Sequence, residues 1–491
     1  MAWKSKTEKA KEAAKRKAEK LSMQQRQFQA AMRDRIHNWN SLPNSIDQDL
    51  KYDLVTMRGL SKQLSRDNDY MKRYYGLLKD HVIGSKGIIL QCNFTDNKGL
   101  KKSVNKKIED AFELWTQKAE VTGRLSWNEL TKLLIMSVAR DGEAIVRVIY
   151  NTKHNKFKFV LQVIDPVALD EMLNEDEGKD GKSIKLGVEI DEFGAPMAYY
   201  FKTNSARNSV VKNGNNYLRI PAEEIIHIYM TENACQTRGY PWCHTCIRGI
   251  RALQSYISSE VIAARIAASK MGIYTQTSAS DPSTEFDLEE DVADVGAFIT
   301  QAEPGSFEIA PRGWDFKTFN AEHPNVAYKD FVKGVLRGIA SGLGVSYTSL
   351  ANDVESVNFS SLRSSLLEER ENWKGLQEFF IDAFMRPVYQ KWLKAAVLSG
   401  QLKLKAAEIE QYENPSFLGR RWSWVDPKKD TESALAAIAG GIKSRQEVAT
   451  EQGRTIEDIF LELKREEELI KTYGLKTQIK DGEKKEERED E

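Results

Sequence analysis

Two hydrophobic periods alternate along the first half of the chain. Over residues 50–83 apolar side chains recur at helical spacing, which places Tyr74 and Leu77 on one stripe. Gly84 and Gly87 end this predicted helix, and the run GIILQCNF that starts at Gly87 is typical of a strand. The chain is therefore expected to change from helix to strand at these glycines.

A β-rich unit is predicted between helices. Residues 103–139 have the pattern of two further helices, and Ser126 followed by Glu129 predicts a capping box at the start of the second. Short alternating runs come next, separated by Gly, Asp and Pro: IVRVIY, FKFVLQVID, LGVEID, PMAYYFK and EIIHIYM. Alternation of this kind predicts strands with one buried face.

The second half of the chain is mainly helical. Residues 240–270 predict a long helix that ends in small residues, residues 325–343 predict another, and residues 360–398 predict a third. Residues 272–318 have strand and turn composition, and a polar stretch, SYTSLANDVESVNFSS, precedes the third helix. The whole pattern predicts an α+β fold that is mostly helical, with two β-rich segments.

Both ends of the chain are polar. Residues 1–36 are rich in Ala, Lys, Glu and Gln, which predicts a helical or disordered arm. This arm is either a solvated lead-in or a contact for nucleic acid or a scaffold. The C-terminal KKEEREDE predicts a disordered tail. The basic N-terminus lacks the apolar core of a secretory signal, and no apolar run is long enough for a transmembrane helix.

Charge and cysteine content narrow the function classes. The 491 residues include 72 Lys and Arg and 72 Asp and Glu, so the formal net charge is zero. Sequence-specific DNA-binding domains usually carry a basic excess, because neutralising phosphates supplies much of their affinity. A chain of this composition that handles DNA is not expected to grip it tightly. Four cysteines in so long a chain argue against a disulfide scaffold.

Enzyme motifs and cofactor sites are not evident. The GKS at Gly181–Ser183 would need a glycine five positions earlier to form a phosphate loop, and Asp176 stands there. Cys243 and Cys246 lack the second ligand pair of a structural zinc site, so buried thiols are the favoured interpretation. We therefore predict no catalytic residue, metal or cofactor.

A glycine stripe marks the helix predicted at 325–343. Gly334, Gly338 and Gly342 are spaced four apart, and each interior glycine costs about 1 kcal/mol relative to alanine. Close approach of another helix is the usual compensation. A stripe of small residues on the 240–270 helix could supply it: Ser259, Ala263 and Ala267.

Spacing alone leaves two arrangements open. The two helices could pack within one subunit, or helices of neighbouring subunits could crowd around a channel. Twelve helices spaced ~10 Å apart in a ring would have a centre-line diameter of roughly 38 Å and a bore of roughly 28 Å, which admits a DNA duplex.

The chain resembles the lambda-type phage portal family over residues 50–470. The resemblance is carried by ARDGEAIVRV (139–148), VIDPVALD (163–170), LGVEIDEFGAPMAYYF (186–201), QTRGYPWCHTCIRGIRALQSY (236–256), EPGSFEIAPRGWDFKTFNAEHP (303–324), GIASGLGVSYTSLANDVESVNFSSLRSSLLEER (338–370) and WSWVDPKKDTESALAAIAGGIKSRQEVATEQG (422–453). Residues 338–370 are the most specific match. Cys243 and Cys246 depart from the family, which has apolar or small residues there.

The resemblance implies a division of the chain into the family's parts. They are a basic arm (1–40), a wing of helices and a β-rich unit (41–238), a first stem helix (239–270), a clip with β structure (271–324), a second stem helix (325–344), a tunnel loop (345–359), a long backbone helix (360–400), a crown (401–473) and a charged tail (474–491).

The resemblance also implies a function without catalysis. Portal proteins of this family form a homo-oligomeric ring, typically of twelve subunits, at one capsid vertex of the virion, after assembly in the host cytoplasm. Double-stranded DNA passes through the ring without sequence preference. The implied protein partners are the large terminase subunit, head-completion or adaptor proteins, and the major capsid and scaffolding proteins; no membrane is involved.

Three sets of residues are candidates for these roles. The tunnel loop would place Val345, Ser346, Tyr347, Asn352, Asp353, Glu355 and Asn358 near DNA, and its acidic members would repel phosphate. On the second stem helix, Lys333 and Arg337 would either contact phosphate sparsely or pair with acidic residues of a neighbour, and pairing is favoured. In the clip, Glu285, Glu289, Glu290, Asp291 and Asp294 form either a docking surface for a basic partner or a solvated loop.

Two other functions are kept as alternatives. One is a metal-dependent DNA-processing enzyme with dispersed acidic ligands, which the missing motifs disfavour. The other is a capsid assembly or scaffolding protein that forms no channel.

Overall fold

The structure, a computed structural model, describes residues 44–96, 99–175, 181–203, 217–268, 272–276, 314–318, 327–355, 358–422, 427–452, 454 and 456–473. The chain divides into two units, Met1–Asp49 and Leu50–Glu491. Apart from the first residues of the first helix, every element below belongs to the second unit.

Two helices occupy the region where one was predicted. Helix α1 (Ile46–Asp67) and helix α2 (Asp69–Leu78) are separated at Asn68, which has extended backbone angles and whose side chain accepts a hydrogen bond from the Met71 amide. The prediction of one helix was wrong because Asn68 caps a new helix at this point. A π-helical turn, Lys79–Ile83, then ends at Gly84, where φ is +80°.

Helices α3 (Lys102–Thr116) and α4 (Trp127–Asp141) follow strands β1 (Ile89–Gln91), β2 (Thr95–Asp96) and β3 (Gly99–Leu100). The predicted capping box is confirmed: the Ser126 hydroxyl accepts from the Glu129 amide, and the Glu129 carboxylate accepts from the Ser126 amide. Strand β1 later pairs with a strand from the far end of the chain, as Ile89 lies opposite Leu418.

The predicted β-rich unit forms two antiparallel sheets. Its strands are β4 (Glu143–Tyr150), β5 (Phe159–Ile164), β6 (Ser183–Lys185), β7 (Val188–Ile190), β8 (Pro196–Lys202), β9 (Tyr217–Pro221) and β10 (Ile225–Tyr229). One sheet has the order β10-β4-β5 and the other β6-β7-β8-β9. The α+β class predicted from the hydrophobic pattern is confirmed.

The remaining elements are mostly helical. They are α5 (Ile247–Ala268), β11 (Gly272–Gln276), β12 (Trp314–Thr318), α6 (Tyr328–Gly342), α7 (Tyr347–Ala351), α8 (Phe359–Phe380), α9 (Arg386–Leu398), β13 (Ser416–Leu418), α10 (Pro427–Ala439), α11 (Arg445–Glu451) and α12 (Ile456–Tyr473). A π-helical stretch, Ile381–Met385, joins α8 to α9, so the long helix predicted over 360–400 is continuous but irregular at its middle.

Two segment predictions need correction. The helix predicted from residue 239 begins at Ile247, because residues 242–246 form turns and the Trp242 amide donates to the Ala139 carbonyl outside the helix. Residues 345–359 were predicted as a loop, yet they contain α7, capped by the Ser346 hydroxyl, which accepts from the Ser349 amide.

In the segment predicted as the clip, residues 271–324, the structure describes two strands. Strands β11 and β12 pair antiparallel, with Gly272 opposite Thr318. The acidic residues predicted to dock a partner lie outside the described residues: Glu285, Glu289, Glu290, Asp291 and Asp294.

A large aromatic core joins helix α3 to helix α9. Phe112 of α3 meets Trp392 of α9 edge-on, with ring centroids 4.9 Å apart, and Trp115 is fully buried beside them. A second, smaller core lies in the sheets and includes Ile145 and Phe201.

A buried charge cluster lies among the strands at the border of the two cores. The Glu143 carboxylate accepts hydrogen bonds from the Arg238 guanidinium, and Arg58 Nη2 lies 2.7 Å from Glu143 Oε1. His227 Nε2 is 3.0 Å from Glu143 Oε2. All four side chains are buried, and the two arginines hold the pKa of Glu143 well below its usual range against the opposing effect of burial.

Candidate functional site

The two predicted stem helices pack as an antiparallel pair. Near the start of α5, Gly249 faces Ile339 of α6. Further along α5, the Tyr256 ring lies 4.8 Å from the Phe331 ring and 5.9 Å from the Tyr328 ring, centroid to centroid. Because the residue numbers of the contacts rise along α5 while they fall along α6, the two helices run in opposite directions. Leu336 and Ile339 bury this side of α6 in the large core, together with Ile250 and Leu253 of α5.

The glycine stripe is not the face of α6 that contacts α5. A Cβ atom built on Gly334 or Gly338 would meet nothing within 4 Å, and both residues are exposed. Gly342 alone is packed: its Cβ position lies 3.1 Å from Thr245 Oγ1. Packing within the subunit therefore explains Gly342 and leaves Gly334 and Gly338 on an open surface.

The predicted small-residue stripe of α5 is also at least partly exposed to solvent where its side chains are described. Ser259 is exposed and Ala263 is half-buried. Ala267 lies in the last turn of α5. The helix also exposes Val261 and Ile262, at 54 % and 55 %. The structure thus does not bring the two predicted small-residue stripes together within one chain.

The acidic residues after α6 pair with lysines of α6 in the same chain. Lys333 Nζ lies 3.2 Å from Asp353 Oδ2, and Lys329 Nζ donates to Glu355 Oε2 at 2.6 Å. Lys333 therefore has an acidic partner within its own subunit, and a partner on a neighbouring subunit stays a prediction. The chain reverses its direction after α7, so Asp353 and Glu355 lie beside α6.

Within the chain Arg337 contacts an aromatic ring. Its guanidinium carbon lies 5.6 Å from the centre of the Tyr347 ring, a cation–π contact. The Tyr347 hydroxyl donates to Asp353 Oδ2 at 2.8 Å. That hydrogen bond, the Glu355 amide and Lys333 lower the pKa of Asp353 to about 2. The carboxylate is therefore ionised at neutral pH.

The connection between α6 and α8 is held at both ends. The Ser346 hydroxyl donates to Glu369 Oε2 of α8 at 2.8 Å, and the Asn372 amide group donates to the Gly344 carbonyl. Val345 is buried. At the other end Asn358 caps α8 by accepting from the Ser361 amide.

The middle of this connection is its exposed part. Asn352 adopts the left-handed conformation, with φ of +54°, and is exposed. Val354 is 61 % exposed. Because the neighbouring carboxylates pair with lysines, the exposed part carries little net charge. Such a surface can lie beside a polyanion without releasing counterions.

The cysteine pair behaves as a structural feature. Cys243 and Cys246 are buried; the Cys243 thiol donates to the Ser61 hydroxyl, and the Cys246 thiol donates to the Cys243 carbonyl. Over the described part of the chain no group of three or more His, Cys, Asp and Glu side chains could hold a metal ion. None of the helices described is long and apolar enough to cross a membrane.

The lysine pairs were missed from the sequence, although a signal was present. Lys329 and Lys333 are one turn apart on α6, and Asp353 and Glu355 follow two positions apart. Opposite charges that flank a short helix such as α7 can meet if the chain reverses there. The sequence does not specify that reversal, because it depends on how α7 packs.

Comparison with known proteins identifies the family. Residues 32–377 match the family model described as "Phage portal protein, lambda family". The chain is similar to the "Probable portal protein" of Halomonas phage phiHAP-1, with 32% identity over 92% of this chain and 88% of that one. It is also similar to "Portal protein B" of Escherichia phage lambda, with 20% identity over 90% of this chain and 89% of that one.

The chain is also similar to a chain in a solved structure. A chain from the "Neck of native GTA particle computed with C12 symmetry" (GTA, gene transfer agent) superposes with a TM-score of 0.44 and 12% identity, over 82% of this chain and 94% of that one. The family model spans most of the chain, and the relative in phage phiHAP-1 exceeds 30% identity over nearly its whole length. The chain belongs to the lambda family of phage portal proteins.

Proposed function

We propose that double-stranded DNA enters and leaves the phage head through a ring of this chain, and that α5 and α6 form the wall of the channel. As a portal protein the chain is a non-enzymatic virion component, a homo-oligomeric head–tail connector at the capsid vertex. The alternative functions, a DNA-processing enzyme and a scaffolding protein without a channel, are therefore excluded. The route of DNA and the residues beside it are our proposal.

One observation carries this assignment: Gly334 and Gly338 form an open surface on a helix whose other side is packed. Interior glycines destabilise a helix by about 1 kcal/mol each, so two exposed ones need a compensating contact outside the chain. A neighbouring subunit in the ring supplies that contact. Its α5 presents Ser259 and Ala263, small enough for the helices to approach closely.

The proposed division of the chain follows the family's parts. The wing comprises α1 to β10, the clip lies around β11 and β12, and the crown extends from the end of α9 to α12. We propose twelve subunits, since twelve helices spaced ~10 Å apart enclose a bore of roughly 28 Å.

The connection after α6 is proposed to lie beside the DNA. Its carboxylates are neutralised by Lys329 and Lys333, so it offers DNA neither a concentrated positive charge to bind nor a strong negative charge to repel. A sliding contact needs this balance, because each phosphate neutralised by a protein cation adds affinity through counterion release. Motion of the DNA then depends on another protein, the large terminase subunit.

The other partners are proposed from the same family role. Terminase and, later, head-completion or adaptor proteins would dock at the clip, where the acidic segment lies outside the described residues. Major capsid and scaffolding proteins would contact the outside of the ring.

Replacement of Gly338 by leucine tests the channel wall. Because a Cβ on Gly338 meets nothing within 4 Å, the Gly338→Leu subunit should fold normally, with helix stability improved by up to ~1 kcal/mol. In the ring the leucine would separate two helices in close contact, so assembly should fail. Size-exclusion chromatography with light scattering measures the oligomer.

Gly59→Leu is the matched control. Gly59 is also an exposed helical glycine with nothing within 4 Å of its Cβ position, but it lies on α1. This variant should assemble like the unmodified chain. Normal rings from Gly338→Leu would contradict the proposed wall.

A further inference from the structure

Helix α12 carries an apolar stripe that is only partly covered by the described residues. Ile456, Leu463 and Ile470 recur at intervals of seven, and Phe460 lies on the same side. Leu463 is 48 % exposed and Phe460 is 53 % exposed. An isolated helix of 18 residues is marginally stable in water, and most helices are held by packing of such a stripe. The stripe therefore indicates a docking face.

A carboxylate interrupts this stripe. One turn after Leu463 the stripe reaches Glu467, which is exposed. Burial of an apolar helix face that includes a carboxylate is favourable only if a cation meets that carboxylate. The surface that receives α12 must therefore be apolar and must present one unmatched positive charge.

A groove between α8 and α10 has this composition. Its cavity of about 240 Å³ is lined by Leu367 and Arg370 of α8 and by Ser433, Ala434 and Ala437 of α10. Leu367 is 46 % exposed, and the alanines leave room above it. The groove thus offers the apolar side chains of Leu367, Ala434 and Ala437 beside the Arg370 guanidinium.

Arg370 is the unmatched charge of the groove. Two other cations at its rim are paired in the chain: Arg363 with Asp430 at 3.0 Å and Lys443 with Glu451 at 2.6 Å. Among the described residues no ion pair joins Arg370 to a carboxylate; its guanidinium lies over the Trp422 ring instead, 6.0 Å from the centre. Burial and the nearby Arg420 lower the pKa of Arg370, and they outweigh the opposing effect of Asp430, whose carboxylate is paired with Arg363.

We infer that α12 of one subunit lies in the α8–α10 groove of the neighbouring subunit, with its apolar stripe on Leu367 and Ala437 and with Glu467 against Arg370. A ring requires two different complementary surfaces on each subunit, and the helix and the groove are such a pair. Every copy supplies both, whereas a nucleic acid would be repelled by Glu467. This inference rests on the ring of the proposed function and adds a second contact to it, far along the chain from the channel wall.

Disulfide trapping tests this contact directly. The full chain would carry Leu463→Cys and Ala437→Cys, with Cys235→Ser to remove the exposed native thiol. Oxidation of assembled rings should give a ladder from dimers to the full ring on a non-reducing denaturing gel. The control replaces Leu463→Cys with Leu461→Cys, since Leu461 is 67 % exposed and points away from the stripe; it should stay monomeric on that gel.

The outcomes separate this inference from the proposed function. Rings by electron microscopy that yield only monomers after oxidation of the Leu463 variant would overturn the contact and leave the portal ring intact. Failure of the unmodified chain to form rings would overturn both.

Charge-reversal variants test the contact between α12 and the α8–α10 groove if the cysteine variants do not assemble. Arg370→Glu and Glu467→Arg should each shift the concentration for half-assembly upward by roughly tenfold, and the double variant should restore most of that loss. Glu468→Arg, on the other side of α12, should not rescue Arg370→Glu. Losses that simply add in the double variant, or no loss from either single variant, would overturn the contact.

Discussion

At the scale of single residues, Glu143 has the largest predicted effect on stability. It is fully buried and joins Arg58, Arg238 and His227. Glu143→Gln removes the negative charge that both arginines contact, so the free energy of unfolding should fall by about 3–5 kcal/mol. Denaturant titration of the purified chain measures this change.

A surface ion pair provides the control for Glu143. Glu224 contacts Arg147 at 2.9 Å, but its side chain is 37 % exposed. Glu224→Gln should cost less than about 1 kcal/mol, because water already solvates the pair. Equal losses from the two variants would contradict the central role of Glu143.

Protonation of His81 should make the free energy of unfolding depend on pH. Its ring stacks on Trp373 and accepts a hydrogen bond from Trp422 Nε1, and burial, followed by the nearby Arg420, lowers its pKa from 6.5 to about 4. As pH falls, the unfolded chain takes up this proton first. The stability that depends on neutral His81 is therefore present above pH 6.5 and is lost between pH 6.5 and about 4.

The variant His81→Asn isolates this effect. An asparagine oxygen can still accept the hydrogen bond that Trp422 Nε1 donates to His81 Nδ1, but it does not titrate. The variant should lose less stability than the unmodified chain between pH 6.5 and 4, as measured by denaturant titration at each pH. An unchanged pH profile would show that His81 does not contribute.

Residue-scale predictions from the sequence succeeded where the partners are close in the chain. The Ser126–Glu129 capping box was predicted because its members lie three residues apart. The contact between Glu143 and Arg238 spans 95 residues and depends on the folded arrangement of the sheets. No local pattern in the sequence marks such a pair.

At the scale of elements, the two carboxylates of the connection after α6 are neutralised by two lysines, and substitution can make this region positively charged. Asp353→Lys combined with Glu355→Lys would replace two ion pairs with four lysines beside the proposed path of DNA. The affinity of assembled rings for DNA should rise, and its salt dependence should steepen by about 0.9 in log–log slope for each added phosphate contact. In a packaging assay, translocation should slow or stall.

A control with the same change in charge distinguishes position from total charge. Glu113→Lys combined with Glu378→Lys raises the net charge of the subunit by four units, the same change as in the first variant. Both positions are exposed, on α3 and α8. This variant should translocate DNA at the unmodified rate. Equal slowing of both variants would show that the connection after α6 has no special place beside DNA.

Element boundaries were predicted well where periodicity is long. The helix predicted at 325–343 occupies Tyr328–Gly342, and the strands of the β-rich unit follow their alternating runs. The break at Asn68 and the short helix α7 were missed, because a polar residue inside a pattern can either cap a helix or face solvent. Contacts with the rest of the fold decide between these outcomes.

At the scale of the whole molecule, the ring follows from the family and not from any one pattern. Spacing revealed the glycine stripe, but only the structure showed that Gly334 and Gly338 are open while Gly342 is packed. The exposed part of the α12 stripe and the groove beside Arg370 likewise have no partner among the residues that the structure describes. Both features are explained by a neighbouring copy of the same chain.

Electron microscopy of the purified, full-length protein tests the central claim most directly. We predict closed rings with a central hole roughly 28 Å wide, enough for a DNA duplex, with helices α5 and α6 around it. Particles without a hole, or rings whose hole is lined by other helices, would contradict the account.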